Sequence, residues 1–371
     1  IGSLFPKLFS TIMVPKTEEL VACSYRHGGK DNSEKFFLDG MSDVLERIVS
    51  GASEKFPTAI YYAFKQAESS EEGVVSTGWA TFLDAVIKSG FTIDGTWPIR
   101  TERDQGLKTG NNVLASSIVL VCRKRDKAAA IATRTEFVRA LKKELPEALR
   151  TLQKSNIEPV DIPQSSIGPG IGIFSRYAKV IETDGNEMSV KAALALINKA
   201  IDEVRDEQDS DYDDYTRFAI TWFDQNGYDA GAYGTAESLA TARGISVDGV
   251  RVAGIIDSAG GQVRILRREN MAEDWSQLTD NRVTVWEVTQ HLIRTLEKEG
   301  QSAAALLMRQ VGGMAGSAKE LAYRLFAICE KKKWAEEATV YNGLIKEWPE
   351  LEALSLQMSS EGGEKQGRLA V

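Results

Sequence analysis

Four short stretches carry side chains that could handle a nucleotide, and a fifth carries a cluster of arginines. Ser24–Lys30, SYRHGGK, sets Arg26, His27 and Lys30 around the pair Gly28-Gly29. Cations of this kind hold phosphates, and glycines let a backbone approach them closely, although the same residues also suit a solvated loop. His27 reads as a hydrogen-bonding loop residue rather than a base. Lys65 and Gln66 follow the β-branched and aromatic run PTAIYYAF, so they stand just past the end of a strand, where open α/β sheets place their sites. In TWPIRTE, Trp97 offers a face on which a base could stack, with Arg100 and Glu102 touching the base or its backbone. The alternative is that Trp97 packs beneath a hairpin while Arg100 and Glu102 pair with each other. Asn111, Asn112, Ser116 and Ser117 could donate to phosphates as the chain returns. Farther on, Arg251, Arg264, Arg267 and Arg268 could grip DNA, each phosphate contact steepening the salt dependence.

Composition narrows the classes. The 371 residues are 43% hydrophobic and 26% charged, the balance of a globular chain with two or three cores. No run reaches the ~20 apolar residues of a membrane helix. The opening IGSLFPKLFSTIMVP lacks the basic start and small-residue cleavage site of a signal peptide. Cys23, Cys122 and Cys329 are far apart and the chain has two histidines, His27 and His291, which argues against a metal site and suits a reducing cytoplasm. The chain begins at Ile1 rather than methionine, which reads as processing or as a piece of something longer. Net charge is −8; residues 1–127 carry 16 charges of each sign, so the whole acidic excess lies beyond them. Much of it is DEVRDEQDSDYDD, Asp202–Asp214, eight carboxylates against one arginine, which reads as a solvated helix end and linker.

These groups need elements to hold them. EKFFLDGMSDVLERIVS places Phe36, Phe37, Met41, Val44, Leu45 and Ile48 on one helical stripe. PTAIYYAF is a strand. GWATFLDAVIKSGF is a second amphipathic helix closed by Gly90, FTIDGTWPI is a strand, and ASSIVLVCRKR ends on another. The order helix, strand, helix, strand, strand fits the second half of an open, Rossmann-like α/β sheet ending in an antiparallel hairpin. Beyond Lys127 the pattern turns helical. RTEFVRALKKELPEALRTLQ is a helix interrupted at Pro146. SIGPGIGIFSRY reads as a glycine-rich turn, without the strand and helix that a ligand loop requires. Ser189 caps one helix and Gly227 closes another. Thr235 caps a short helix, a second runs to about Ile256, and SAGGQVRIL makes a turn and strand: a winged-helix pattern with five arginines against three acids over 233–268. The tail reads as two antiparallel helices with Ala322, Ala338 and Tyr341 at close-packing positions.

The segments MVPKTEELVACSYRHGGKDNSEKFFLDGM, YYAFKQ, GWATFLDAVIKSGFTIDGTWPIRTE, NNVLASSIVLVCRKR, ATRTEFVRALKKELPEALRTLQKSNIEPVDIPQSSIGPGIGIFSRY and TVWEVTQHLIRTLEKEG resemble, in order, the large bacterial and archaeal adenine-specific DNA methylases that carry an N-terminal domain of unknown function, often with a zinc ribbon. The resemblance implies a Rossmann-like methyltransferase domain that uses S-adenosylmethionine. It implies a flipped adenine in double-stranded DNA whose N6 attacks the cofactor's methyl group. The family's cofactor loop and Asp-Pro-Pro-Tyr motif lie upstream of PKTEELVA, and here none of the nine prolines is adjacent to another. The chain is therefore expected to be inactive alone, with no catalytic residue of its own, and to have the upstream half of the same protein as a partner.

The expected layout is a C-terminal part of the catalytic domain at 1–127, a helical extension at 128–232, a winged-helix segment at 233–270 and a C-terminal helical region at 271–371. A second reading is a noncatalytic DNA- or protein-interaction module joined to a helicase or ATPase in a defence-type assembly. A third is a cytosine-N4 methyltransferase, whose machinery is near-identical. No membrane partner is expected, and the location expected is cytoplasmic.

Overall fold

The period-2 and period-3.6 patterns of the first third do become strands and helices. The computed structural model describes Pro6 and residues 19–21, 23–62, 77–100, 116–278, 280 and 282–367. It is a mixed α/β chain, mostly helical, with small antiparallel sheets and a helical C-terminal region. Among the described residues no helix is long and apolar enough to cross a membrane. Two units divide it: one holds residues up to 100 with 116–145 and 164–200, the other 146–163 and residues from 201 onward.

In the first unit, α1 (Lys30–Gly51), β1 (Thr58–Tyr62), α2 (Thr77–Lys88), β2 (Phe91–Arg100) and β3 (Ser116–Lys124) follow the expected order. The strands stand β1-β3-β2, with β3 antiparallel to both neighbours. Trp79, Phe82, Leu83 and Val86 form the buried stripe of α2, and Tyr62 stacks on Phe82 at 4.0 Å, so this face of the sheet is the core. The stripe of α1 is buried at Leu45 but left partly exposed at Val44 and Ile48. Gly90, at φ +100°, ends α2 as its position predicts.

A short parallel pair, β4 (Ile131–Thr133) and β5 (Lys179–Ile181), flanks two helices, α3 (Arg134–Lys154) and α4 (Ile162–Ser175). α5 (Val190–Gln208) follows, with the Ser189 hydroxyl accepting from Ala192 N–H at 3.2 Å as expected. Two expectations fail here. α3 runs through Pro146 without a break. The glycine-rich run is not a turn: it lies inside α4, with Pro169 in the helix as well. Packing explains the glycines. A Cβ on Gly168 would sit 2.1 Å from Thr96 Oγ1, one on Gly172 2.8 Å from the Ile93 carbonyl, and one on Gly170 2.4 Å from Ile197 Cγ2. α4 therefore lies directly on the outer edge of β2, where Ile93 N–H donates to Ser175 Oγ at 2.9 Å and Thr96 Oγ1 donates to the Ser165 carbonyl at 3.2 Å.

The second unit contains α6 (Asp214–Asn226), β6 (Gly231–Ala232), α7 (Tyr233–Thr241), α8 (Val247–Val252), β7 (Ile256–Ala259) and β8 (Gln262–Ile265), then α9 (Val285–Glu299), α10 (Gln301–Val311), α11 (Met314–Lys332) and α12 (Ala335–Gly367). Gly227, φ +59°, closes α6 as expected. Thr235 does not cap α7; Ala232 stands at that position without a side-chain bond. α8 stops at Val252, because Ile256 enters the three-stranded sheet β6-β8-β7. The pair α11 and α12 buries Ala322, Ala338 and Tyr341 completely. α9 is the surprise, buried on every side from Val285 to Arg294. Most of its polar groups are bonded: Thr284 and Glu287 form a capping box, Gln290 donates to Tyr341 Oη at 3.2 Å, and Arg294 donates to the Met271 carbonyl at 2.8 Å, while Trp286 Nε1 is buried without a partner among the described residues.

Candidate functional site

Because β1 and β2 both run antiparallel to β3, they run the same way and finish at one edge of the sheet, where β3 begins. Tyr62 pairs with Ile118 and Arg100 with Ser116 at that edge. The chain leaves β1 there towards Lys65 and Gln66, and leaves β2 towards Glu102. These residues, with Asn111 and Asn112, lie outside the described residues, and Arg100 is described in its backbone alone. At the opposite edge Lys124 Nζ donates to the Ser50 carbonyl at 3.5 Å, next to the end of α1. The amino-terminal end of α1, which begins at Lys30 and follows Arg26 and His27, thus lies away from that edge.

Trp97 is not packed beneath the hairpin: it is 51% exposed. Cross-strand pairing sets it in one row with Val119 and Tyr61, and Tyr61 is 68% exposed. Sequence reasoning missed Tyr61, although alternation in TAIYY puts it opposite in sense to the core-facing Tyr62. Arg26 pairs with Glu19 at 3.1 Å. His27 is not held by a hydrogen bond at Nε2, which is buried without a partner among the described residues; the ring lies on Phe36 at 4.1 Å. Gly28 and Gly29, φ +71° and +134°, let the chain turn into α1. Ser117 is buried in β3.

The arginines of 233–268 are mostly engaged within the protein. Arg251 bonds Asp248 at 2.7 Å, Arg264 bonds Asp257 at 3.2 Å, and Arg267 lies over the Tyr228 ring at 4.7 Å. Arg243 donates to Thr221 Oγ1 at 2.9 Å. Arg268, expected to face DNA, is instead buried against Glu337, its two nitrogens each 2.6 Å from a carboxylate oxygen. The acidic run is largely solvated, as expected, with Asp202 and Asp206 66% and 70% exposed; Asp209, 21% exposed, holds Arg324 together with Asp206.

Burial also sets the unusual titrations. It pushes the Cys122 thiol up to about 12, leaving it unreactive. Among the described residues no group of His, Cys, Asp and Glu is arranged to hold a metal ion. Glu287, buried in its capping box, is pushed up to about 8. Burial, helped by the charge of Arg294, draws His291 down to about 4 where it stacks on Trp275 at 4.2 Å. The stability that Glu287 contributes is complete below its ordinary value near 4.5 and is lost as pH rises to about 8. His291 works oppositely, lowering stability as pH falls from 6.5 to about 4. The two oppose each other until pH 6.5, and Glu287 acts without opposition above it. The thermal midpoint should therefore fall between pH 6.5 and 8, and Glu287→Gln should remove most of that slope; a level wild-type profile would refute the assignment.

Residues 213–369 match the model of a family described as a domain of unknown function, DUF8807. The match opens at Asp213, whose carboxylate accepts from Thr216 N–H and caps α6, so it takes in α6, β6 and everything to α12. No curated protein and no solved structure matches the chain.

Proposed function

We propose that this chain is the C-terminal portion of an S-adenosylmethionine-dependent DNA methyltransferase acting on adenine N6, with the cofactor loop and the Asp-Pro-Pro-Tyr motif on the upstream part of the same protein. The observation that carries this reading, beside the sequence resemblance, is the asymmetry of the β1-β3-β2 sheet. Its β2 edge is closed by α4, whereas no described residue pairs with the outer edge of β1. β1, α2 and β2 make a parallel crossover, the repeating unit of a Rossmann-like sheet, with β3 set antiparallel between its strands. More parallel strands can join beside β1.

In this reading the edge where β1 and β2 finish forms the far wall of the base pocket. Trp97 supplies an aromatic face, Arg26 and Lys30 meet the phosphates, and Lys65, Gln66, Arg100, Glu102, Asn111 and Asn112 border the flipped nucleotide. The described residues do not fit the cofactor: the glycine-rich run that might have cradled it is packed inside α4. Cytosine N4 remains an alternative acceptor.

Residues 214–268 read as a winged helix, in the order helix, strand, two helices and a β7–β8 wing. A second role, docking to a partner protein such as a helicase or ATPase, is favoured for this segment by its engaged arginines and by exposed Val252 on α8.

Methyl transfer from labelled S-adenosylmethionine to unmethylated DNA tests the proposal, with the chain alone and joined to its encoded upstream sequence. Activity confined to the joined form is expected. Activity of the chain alone would overturn the upstream position of the catalytic loop. Silence in both, together with salt-insensitive DNA affinity, would reject the methyltransferase in favour of the docking module.

A further inference from the structure

Within the second unit, the end of α3, the end of α5 and one face of α11 enclose a cavity of about 90 Å³. At ~10–15 Å³ for each water-sized sphere this is room for roughly six to nine waters, or one small organic molecule. Pro159, Ile162 and Phe326 give it apolar wall, which by itself would leave it nonspecific.

Two guanidiniums line it, and they are unequally partnered. Their side chains are almost equally buried, 19% exposed for Arg205 and 20% for Arg324. Arg324 is fully engaged, at 2.8 Å from Asp206 and 2.8 Å from Asp209. Arg205 has no such bond: Asp202 stands at 3.6 Å, beyond hydrogen-bond range and itself 66% exposed, and Asp206, bonded to Arg324, reaches Arg205 only through its charge. Burial, reinforced by the charge of Arg324, accordingly lowers the Arg205 pKa. A charge so placed is costly unless something bonds it.

Other donors line the same space. Tyr212, Gln153 and Gln208 border the cavity, and burial keeps the Tyr212 hydroxyl protonated. Among the described residues none of these three side chains makes a hydrogen bond. The acceptors of the lining are Asp209, held by Arg324, and Glu320 and Glu330 at the rim. A second negative charge on the ligand would stand among these three carboxylates. A flat, singly charged group suits the guanidinium fork and leaves the carboxylates undisturbed.

We infer that this cavity binds a small monocarboxylate, anchored by Arg205 and further held by donors from Tyr212, Gln153 and Gln208. The site is independent of methyl transfer. Binding of pyruvate, acetate, inorganic phosphate and chloride to the whole chain, at matched ionic strength, is measured by ligand-observed NMR and calorimetry. Pyruvate or acetate should bind at least tenfold more tightly to the wild type than to Arg205→Gln, and about threefold more tightly than to Tyr212→Phe, a variant that keeps the guanidinium should Arg205→Gln fail to fold. Carboxylates binding no better than chloride, or equally well to Tyr212→Phe and to any folded Arg205→Gln, would overturn the site. Phosphate outcompeting both carboxylates would overturn its ligand class.

Discussion

Replacing Arg268 with methionine should cost about 3–5 kcal/mol of unfolding free energy, the range for removing one partner of a buried ion pair. The side chains of Arg268 and Glu337 are 12% and 16% exposed, and they meet in a fork of two 2.6 Å hydrogen bonds. Arg268 also donates to Gln290 Oε1 at 3.0 Å and to Tyr228 Oη at 3.2 Å, while Tyr228 donates to Glu337 at 2.9 Å. Burial alone would discharge both groups. The hydrogen bonds and opposite charge more than offset it, raising the arginine's pKa and lowering the carboxyl's. Arg268→Met leaves Glu337 buried without its cation. Arg268→Met with Glu337→Leu removes both charges, and most of the lost stability should return. Denaturant unfolding of the two single variants and the double variant measures this. Loss of less than about 1 kcal/mol in Arg268→Met would mean the pair is effectively solvated.

That network bears on how the segment after β8 is read. An arginine at the end of RILRR looks, in sequence, like a member of a basic patch. Its partner lies 69 residues away on α12, a separation no local pattern reveals. Arg251 and Arg264 were legible in principle, because Asp248 stands three residues before the first and the strand pairing Asp257 with Arg264 follows from a hairpin turning at Gly260-Gly261. Ranking by charge counts arginines; the structure counts those without a carboxylate.

Elements with a regular period were legible. α1, β1, α2, β2 and β3 follow from apolar spacing, and Gly90, Ser189 and Gly227 mark helix ends by their own backbone and side-chain chemistry. The edge that gathers the candidate site follows once β3 is known to lie between β1 and β2, and that order depends on pairing across the sheet rather than on any one strand. Trp97 was identified as an aromatic of interest, but its exposure was undecidable until the register put it in a row with Tyr61. β4 and β5, three residues each, are too short to carry a period. α4 misled for a different reason. Glycine and proline weaken a helix in isolation, and here the contact with β2 and α5 overrides that preference.

The strength of that override can be measured with one substitution made at two places. Gly343, in the middle of α12, has no atom within 4 Å of where a Cβ would stand, and alanine there should stabilise the protein by about 0.5–1 kcal/mol through helix propensity. Gly168→Ala gains the same propensity and should still destabilise by about 2–3 kcal/mol, because the new Cβ meets Thr96 Oγ1 at 2.1 Å and Thr96 N at 2.7 Å. The hydroxyl could rotate away; the backbone nitrogen belongs to β2 and can move only with the strand. Adding Thr96→Ala to Gly168→Ala should therefore recover part of the loss and not all of it. Paired thermal and denaturant melts decide the matter. Equal or greater stability for Gly168→Ala would mean that α4 stands off the sheet, and the β2 edge would then be as open as that of β1. With both edges open, the asymmetry that points to further strands beside β1 would disappear. A loss of the expected size keeps one edge closed and leaves β1 as the side on which the sheet can grow.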